Sequence, residues 1–239
     1  MMENEAKPVT CMEKMQPIVH QTLSAKVYQD LREMIISGQL QPGERLTLAG
    51  MAAALGTSAM PVREAISKLA ADDAIEILPN KSVRIPVMTR ARFQELVVVR
   101  LVVEGLAVET AASRITDGQL SRLAALEQAF SREIELDEPD VNQIIQINQQ
   151  FHFTAYAAAQ MPVLSGLIEG LWLRIGPVLN LDLRNSASRR RSDLPSVKAH
   201  RALLEALRAG DGAAAKAALA LDINSAAAVI LSGTELKES

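Results

Sequence analysis

The sequence contains little of what several classes of protein require. Its 239 residues include a single cysteine, so no disulfide can form within the chain, and nothing points to an oxidising compartment. Aromatic residues make up only 3% of the chain and hydrophobic residues 49%, a balance that favours close-packed helices over a β-sandwich. The net charge is only −3, which together with this hydrophobic content excludes disorder as a description of the whole chain.

Signals for export and for membrane insertion are also lacking. Glu3 and Glu5 stand where a secretory signal would be basic, and no apolar segment follows them. The most apolar stretches are interrupted by charged side chains, at Arg100, Arg174, Lys216 and Asp222. We therefore expect no segment of about 20 residues that could cross a bilayer, no membrane partner, and a soluble, cytoplasmic protein.

Helix and turn signals divide the chain into three parts. Residues 1–22 show no sustained period and hold two prolines, so they are interpreted as a flexible N-terminal tail. Residues 23–88 predict three helices and then a β-hairpin with a polar turn at residues 79–82. Residues 89–239 show no strand signal and predict six helices, near residues 90–115, 117–135, 139–160, 162–183, 193–209 and 211–232.

These elements define the predicted fold class. It is mostly α, with an N-terminal winged helix-turn-helix whose wing is a small β-hairpin, and with an all-α six-helix C-terminal bundle. In such a head the third helix enters the major groove of DNA. Thr57 and Ser58 cap this helix, where hydroxyls and free N–H groups suit a phosphate. Arg63 would face outward to a phosphate or a guanine, and Lys81 and Arg84 would serve the wing.

The charge of this head leaves a second interpretation open. Residues 24–88 contain seven Lys/Arg and seven Asp/Glu, although contact with phosphates supplies much of the affinity for DNA. Asp72, Asp73 and Glu76 all follow the third helix, so a separation of charge could still leave one positive face. From spacing alone, a protein-interaction module that binds no nucleic acid is the alternative.

Three stretches of the head resemble the GntR family of bacterial transcription regulators. They are QPGERL at residues 41–46, LGTS at residues 55–58 and MPVREAI at residues 60–66. The resemblance implies contacts with double-stranded operator DNA by Arg45, Thr57, Ser58, Met60, Arg63, Lys81 and Arg84. Two positions that are often basic in the family are Ala49 and Ala59 here, which shifts the contacts to the remaining basic residues.

Four polar side chains lie on helical stripes that are otherwise apolar. Asn148 and His152 share one face of a helix, one turn apart. His200 and Asp222 lie on the inner stripes of the last two helices. Because unpaired buried polar groups are costly, we expect these groups to share one another or something bound between them. Two imidazoles, a carboxylate and an amide oxygen suit a divalent metal ion, zinc first, with nickel or manganese as alternatives; a metal-free hydrogen-bond network is the other interpretation.

Further motifs resemble the all-helical effector domain of the FadR-like, or FCD, branch of the same family. These motifs are RLVVE at residues 100–104, NQQFH at residues 148–152 and HRALLEAL at residues 200–207. The six helices are closer to the VanR-type layout. Members often hold a metal with an Asp and three His, and the matching positions here are Asn148, His152, His200 and Asp222. Asn thus stands where Asp is usual and Asp where the last His is usual, which keeps one carboxylate in the implied metal site.

Two arginines are assigned to a small organic-acid effector. The Arg100 guanidinium could hold a carboxylate through two hydrogen bonds while a metal takes another oxygen. Pairing of Arg100 with Glu104, one turn away, is the alternative. Arg174 precedes a predicted break at Gly176-Pro177, where a kinked helix could open a pocket. A solvated arginine is the alternative at that position.

These patterns predict a homodimeric DNA-binding transcription regulator, with repression as the expected action. A small carboxylate effector in the metal-containing helical domain would control its binding to the operator. Dimerisation is expected within residues 90–239, because paired heads must reach two half-sites. The alternative is a helical metal-dependent enzyme whose four polar residues activate water. It is weakened by the lack of a general base or nucleophile beside them.

Overall fold

The structure is a computed structural model that describes residues 22–79, 82–186, 194–233 and 236–238. The first part consists of α1 (Leu23–Ile36), β1 (Arg45–Leu46), α2 (Leu48–Ala54), α3 (Ala59–Ala71), β2 (Glu76–Ile77) and β3 (Val83–Arg84). The second part consists of α4 (Arg90–Ala111), α5 (Asp117–Glu135), α6 (Val141–Ala157), α7 (Pro162–Ser186), α8 (Pro195–Arg208) and α9 (Gly212–Ser232). The predicted fold class, mostly helical with a winged head and a six-helix bundle, is confirmed.

The first helices form because polar caps precede amphipathic segments. The Thr22 hydroxyl accepts a hydrogen bond from a backbone N–H at the start of α1, and Thr47 does the same at the start of α2. Between α2 and α3, Gly56 has a φ of +61°, a left-handed conformation that glycine adopts without strain. α3 then buries one apolar face and leaves the opposite face to solvent.

The wing contains one more strand than the sequence predicts. Its strand order is β1-β3-β2, and Arg45 and Leu46 of β1 pair with Arg84 and Val83 of β3 in antiparallel fashion. The predicted hairpin was therefore incomplete, because a two-residue strand is too short to show an alternating pattern. Cross-strand partners share a face of a sheet, so Arg45, Arg84 and Glu76 lie side by side.

The second part is the predicted six-helix bundle. α4 packs against α6, α7 and α9, while α8 packs against α9 and α5. Phe93, Phe130 and Phe151 are fully buried between these helices. The helix ends lie within a few residues of those expected from the sequence, because proline, aspartate and glycine mark most of them.

The predicted break at Gly176-Pro177 was wrong, since α7 continues through this pair to Ser186. Proline removes one helical hydrogen bond, and the remaining bonds of α7 carry the helix past it. Gly176 is instead a close-packing position. A Cβ atom there would lie 2.9 Å from the carbonyl oxygen of Ile36, at the end of α1. The pair therefore marks a tight contact between helices and not an opening.

Two helices are more apolar than the sequence analysis allowed. By length and composition alone, Pro162–Asn180 and Gly212–Ser232 would suffice to cross a membrane, so the expectation that no such segment exists was wrong. Single charged residues do not lower the mean hydropathy of these Ala-, Leu- and Ile-rich segments enough. Both helices pack against other helices of the protein. α7 contacts α1 of the head and α4 of the bundle, and α9 contacts α4 and α8, as apolar core helices of globular proteins do.

The two parts are joined by direct contacts between α7 and the head. Asn180 Nδ2 donates to the carbonyl oxygen of Ile36 at 2.9 Å in a buried position, and an ion pair links Arg32 to Glu169 at 2.9 Å. The C-terminal segment makes a further contact. The Lys237 backbone N–H donates to the Met88 carbonyl, and the Lys237 carbonyl accepts a hydrogen bond from the Arg90 backbone N–H at the start of α4. The head is thus held against the bundle at several points.

Gly176→Ala should destabilise the protein although alanine favours helices. The new methyl group would press on the backbone at the end of α1, which cannot move cheaply. We expect the free energy of unfolding to fall by roughly 1–3 kcal/mol. Urea unfolding followed by circular dichroism measures this change.

Gly166→Ala on the same helix is the matched control, because a Cβ at that position meets nothing within 4 Å. There the substitution should raise the free energy of unfolding by up to about 1 kcal/mol through helix propensity. Equal stability of the two variants would show that α7 does not approach α1 as closely as described.

Candidate functional site

Three helices bring three potential metal ligands together in the bundle. His152 of α6, His200 of α8 and Asp222 of α9 offer ligand atoms that all lie within 4.8 Å of one another. His152 Nε2 is 3.3 Å from His200 Nε2 and 3.2 Å from Asp222 Oδ2, and His200 Nε2 is 3.9 Å from Asp222 Oδ1. Ligand atoms about 2.0–2.1 Å from one tetrahedral zinc ion lie roughly 3.3 Å apart. We call these three residues the ligand cluster.

The ligand cluster is almost completely buried. Both imidazoles are buried, and the Asp222 side chain is 15% exposed. His200 stacks on Phe151, with ring centroids 4.2 Å apart, and lies 4.8 Å from Phe130. These aromatic rings pack against the imidazole, and its Nε2 atom faces the other members of the cluster.

A chain of hydrogen bonds orients His152. The Tyr156 hydroxyl donates to Glu104 Oε2 at 2.5 Å and lies 3.3 Å from His152 Nδ1. Its single hydrogen is used on Glu104, so the hydroxyl oxygen can only accept from Nδ1. Without a metal, Nε2–H of His152 is the donor to Asp222. When a metal takes Nε2 instead, the hydrogen of the neutral ring would lie on Nδ1 and bond the Tyr156 oxygen, as metal ligation requires.

The electrostatics of the cluster also suit a cation. Burial, the largest influence, lowers the pKa of His200 from 6.5 to about 3, so this imidazole is neutral at physiological pH. Burial alone would raise the pKa of Asp222, but the hydrogen bond from His152 and the nearby histidines and Arg100 outweigh it. Its pKa therefore lies below the usual value. A neutral imidazole and an ionised carboxylate are the forms that bind metals.

A small cavity borders the ligand cluster. Its volume is about 40 Å³, and Arg100, Asn148 and Trp172 line it together with His152 and Asp222. Asn148 thus lies where the sequence placed it, one helical turn from His152 and facing the same space. The structure therefore brings all four predicted metal ligands to one place, three of them within the ligand cluster.

Arg100 forms the pair with Glu104 that was the alternative interpretation, and its role toward an effector stays a prediction. Its Nε and Nη2 atoms donate to the two oxygens of Glu104 at 2.6 and 3.1 Å, and its side chain also lines the cavity. The guanidinium lies over the Trp172 ring, 5.4 Å from the centroid. Arg100 is therefore a buried, paired cation at the edge of the cavity.

The structure does not bring Arg174 to this cavity, and its assignment there needs correction. Arg174 Nε donates to the carbonyl oxygen of Asp72 at 2.9 Å, and Nη2 lies 3.6 Å from Asp73. Both partners directly follow α3. Arg174 and Trp172 are two residues apart and so point to different sides of α7. Arg174 ties the helical bundle to the head.

The sequence analysis missed Tyr156 and Trp172 as members of this site. Tyr156 follows His152 by one helical turn on the same face, and this spacing could have revealed it. Trp172 is the single tryptophan of the chain, but nothing in the sequence shows that α7 lies beside α6.

A second group of predicted residues lies around the start of α3. Ser58 is the N-cap of α3 and makes no side-chain capping bond, and Thr57 Oγ1 has no partner within the described part of the chain. Met60, Arg63 and Arg45 are exposed. Except for the buried Thr57 Oγ1, these side chains and the free N–H groups at the helix start are open to an anionic partner.

The predicted wing residues differ from this group. Arg84 is partly buried, and its Nε donates to Glu76 Oε2 at 2.9 Å. The positive charge of Arg84 is thus paired locally, because Glu76 is its neighbour across the sheet. Lys81 lies outside the described residues. Arg45 is the exposed cation on the same face of the sheet.

Comparison with known proteins shows the class to which this chain belongs. The description "Bacterial regulatory proteins, gntR family" matches residues 23–85, and the description "FCD domain" matches residues 95–225. The chain therefore belongs to the GntR family, with a helix-turn-helix head and an FCD domain. The resemblance seen in the sequence motifs is confirmed.

Individual relatives support this assignment. The HTH-type transcriptional regulator McbR of Escherichia coli (strain K12) is 33% identical over 161 residues, 67% of this chain and 72% of that protein. The solved structure of E. coli McbR/YncC superimposes with a TM-score of 0.81 at 30% identity, and the match covers 88% of this chain and 98% of that one. A GntR transcriptional regulator from Rhodococcus sp. RHA1 gives a TM-score of 0.70 at 25% identity, with the same coverage of both chains.

One further relative is named for repression. It is the "Probable D-xylose utilization operon transcriptional repressor" of Paenarthrobacter nicotinovorans, 27% identical over 202 residues, which are 83% of this chain and 84% of that protein. These relatives are transcription regulators and not enzymes. The chain is accordingly a DNA-binding transcription regulator, and the alternative interpretation as a metal-dependent enzyme finds no support.

Tyr156→Phe should weaken metal binding although Tyr156 is not a ligand. The substitution removes the oxygen that fixes His152 Nδ1, and the loss of such a supporting group commonly lowers metal affinity by roughly 10–100-fold. Competition with a chromogenic chelator, on protein purified without chelator or metal-affinity resin, measures this affinity for zinc.

Tyr28→Phe is the matched control, because Tyr28, the only other tyrosine, bonds Asp72 in the head. His200→Ala should abolish stoichiometric binding, whereas His20→Ala should not. Wild-type protein that holds no zinc, nickel or manganese after incubation with each would show that the ligand cluster is a hydrogen-bonded core network.

Proposed function

We propose that this regulator binds its operator as a homodimer, acts as a repressor, and responds to a small carboxylate that binds beside a divalent metal ion. The observation that carries the proposal is the ligand cluster with its adjoining cavity in the FCD part of a chain whose other part is a DNA-reading head. The proposed domains are a tail of residues 1–22, a head of residues 23–88 and an effector and dimerisation domain of residues 89–239. Because operator DNA lies in the bacterial cytoplasm, we place the protein there.

The metal would be held by His152, His200 and Asp222, with Asn148 as the fourth candidate ligand. Two imidazoles with a carboxylate suit zinc first, and nickel or manganese next. The bound ion would supply positive charge and open positions for an oxygen ligand. Arg100, already neutralised by Glu104, would place its remaining N–H groups toward the same ligand.

DNA would be read by the exposed face of α3. The start of α3 presents the Ser58 hydroxyl together with Met60 and Arg63, and Arg45 adds a cation from β1. The predicted contact by Thr57 would require its buried hydroxyl to become exposed. Such an arrangement supports insertion of α3 into the major groove with phosphate contacts at its N-terminus. In the wing, Arg84 shares its charge with a neighbouring carboxylate, so we assign it a smaller contribution, and Lys81 stays a prediction.

Control of DNA binding would pass through α7. Trp172 lines the cavity, and Arg174, two residues further on, contacts the chain that directly follows α3. Because α7 is one continuous helix, a ligand that moves the cavity side of α7 also moves the contact with the head. In a dimer, a small rotation of each head changes whether both α3 helices fit their half-sites.

Arg63→Ala should weaken operator binding by at least roughly 10-fold, because the loss of one good contact to a base lowers the affinity by that factor. If Arg63 contacts a phosphate instead, the substitution should also reduce the salt dependence of binding. The DNA upstream of its own coding region is the first operator to test, by fluorescence anisotropy at several salt concentrations. Wild-type protein should show sequence preference and a steep loss of affinity with salt.

Arg132→Ala is the matched control, because Arg132 is an exposed arginine of α5, away from the head. It should bind DNA like the wild type. Wild-type affinity of Arg63→Ala would place the reading face elsewhere. Failure of the wild type to bind any upstream DNA at low salt would contradict the proposed operator binding.

An exposed apolar stripe supports dimerisation through α4. Val98, Val102 and Leu106 follow one another at four-residue spacing and are exposed although aliphatic, Val102 to 65%. Aliphatic side chains repeated along one helix face normally cover a partner surface. A second copy of the chain is the partner that a two-fold operator requires.

Val102→Glu should therefore convert the dimer to a monomer, because a charge in a two-fold interface meets its own copy. Sedimentation velocity measures the change. Val163→Glu, at an 82% exposed valine on α7, should leave the dimer intact. A dimer that survives the first substitution and dissociates with the second would assign the interface to α7.

A further inference from the structure

The cavity beside the ligand cluster is small and has two distinct sides. Its volume of about 40 Å³ is enough for roughly three water molecules. Arg100, Asn148 and Ser196 supply polar groups, while an apolar wall is formed by Leu179, Ile223 and Ala226. A ligand that fits without rearrangement has few non-hydrogen atoms, a polar end and no second charged group.

Trp172 lines this cavity and carries an unpaired donor. The residue is only 4% exposed, and within the described part of the chain its indole Nε1–H has no acceptor. Buried N–H groups in native proteins are almost always satisfied by protein, water or ligand. A small oxygen ligand in the cavity that Trp172 lines would supply the missing acceptor.

Arg100 offers further donors next to the indole. Its Nε and Nη2 atoms are used on Glu104, and no bond of Nη1 to any described residue is seen. The guanidinium lies over the indole ring, 5.4 Å from its centroid. The two residues therefore place hydrogen-bond donors on neighbouring parts of the cavity lining. A carboxylate can accept from two such donors at once.

The charges around the cavity set the charge of the ligand. Glu104 neutralises Arg100, and Asp222 cancels half of the charge of a divalent ion bound by two neutral imidazoles. One positive charge of the ion then remains uncompensated in a buried place, which is costly. A ligand with one negative charge neutralises it, whereas a dianion would leave one uncompensated negative charge.

We propose that Trp172 is a specificity-determining residue of this cavity, whose indole N–H donates to a small monocarboxylate of about four non-hydrogen atoms, such as acetate. The proposal rests on the proposed function, because it assumes that the metal and the effector share this site. The carboxylate end faces Arg100, Trp172 and the metal, and the methyl end meets the apolar wall. A dicarboxylate is excluded both by its length and by its second charge.

The single tryptophan allows a direct test on the wild-type protein. Zinc-loaded protein is titrated with sodium formate, acetate, propionate, butyrate and succinate at neutral pH and constant ionic strength, with sodium chloride as the blank. Trp172 is the only tryptophan, so the fluorescence signal comes from the cavity itself. We expect saturable changes with formate and acetate, at least tenfold weaker binding of butyrate, and no change with succinate.

Trp172→Phe tests the indole N–H separately, because phenylalanine keeps an aromatic ring beneath Arg100 and removes the donor. Acetate affinity, measured by the shift in melting temperature of zinc-loaded protein, should fall roughly 10-fold or more, as for a hydrogen bond to a charged group. Val163→Ala, an exposed position on the same helix, is the matched control and should respond like the wild type. Zinc-stripped wild type should show no response to acetate.

The outcomes separate this proposal from the function on which it rests. Zinc content and operator affinity are measured on the same preparations, and their absence in the wild type contradicts the proposed function. With both normal, equal acetate affinity of Trp172→Phe and wild type overturns the role of Trp172. Preference for succinate, or no response to any acid in the series, overturns the small monocarboxylate. If Trp172→Phe does not fold, the fluorescence series on the wild type still tests the small monocarboxylate, and an indole signal that does not change with acetate overturns the role of Trp172.

Discussion

The contact between His152, His200 and Asp222 joins three helices through polar atoms in the interior of the bundle. Tyr156 and Glu104 extend the contact to α4, so one connected network crosses α4, α6, α8 and α9. Apolar packing tolerates small sliding of helices, but hydrogen bonds and metal ligands require fixed distances. The network therefore determines the relative positions of the four helices. The small residues of α9, such as the buried Ala215 and Ala218, permit the close approach that these distances need.

The fixed positions of these helices determine where the cavity and the contact between bundle and head lie. With α4 and α9 fixed, α7 lies over the open side of the ligand cluster, where Trp172 and Arg100 close the cavity. The opposite side of α7 faces the head, and Gly176 allows the close contact with the end of α1. One helix thus belongs to the effector site and to the domain junction at the same time. A flexible connection between head and bundle would not transmit a change in so small a cavity.

Much of this architecture could be predicted from the sequence because helices repeat their inward positions every three to four residues. That period placed Asn148, His152, His200 and Asp222 on inner stripes, and the structure brings them together. Contacts between elements distant in sequence leave no such period. The assignment of Arg174 to the cavity failed for this reason, since its actual partners directly follow α3.

Very short strands and the residue pairs across strands could not be predicted from the sequence either. β1 has two residues and forms only because β3 lies beside it, and the pairing of Arg84 with Glu76 follows from that register. Counting charges over the head therefore could not show which of its cations are paired. The motifs LGTS and MPVREAI nevertheless identified the head correctly, because capping and the apolar face of a helix are local properties.

The tie between Lys237 and the chain around Met88 has a consequence for the order of assembly. The residues that join head and bundle pair with residues at the opposite end of the sequence. During synthesis the head leaves the ribosome first and can fold as a unit, but this tie forms only after the last helix has been made. Until then the contacts of α7 hold the head against the bundle. The junction that orients the heads toward two half-sites is therefore completed only after α9 has been made.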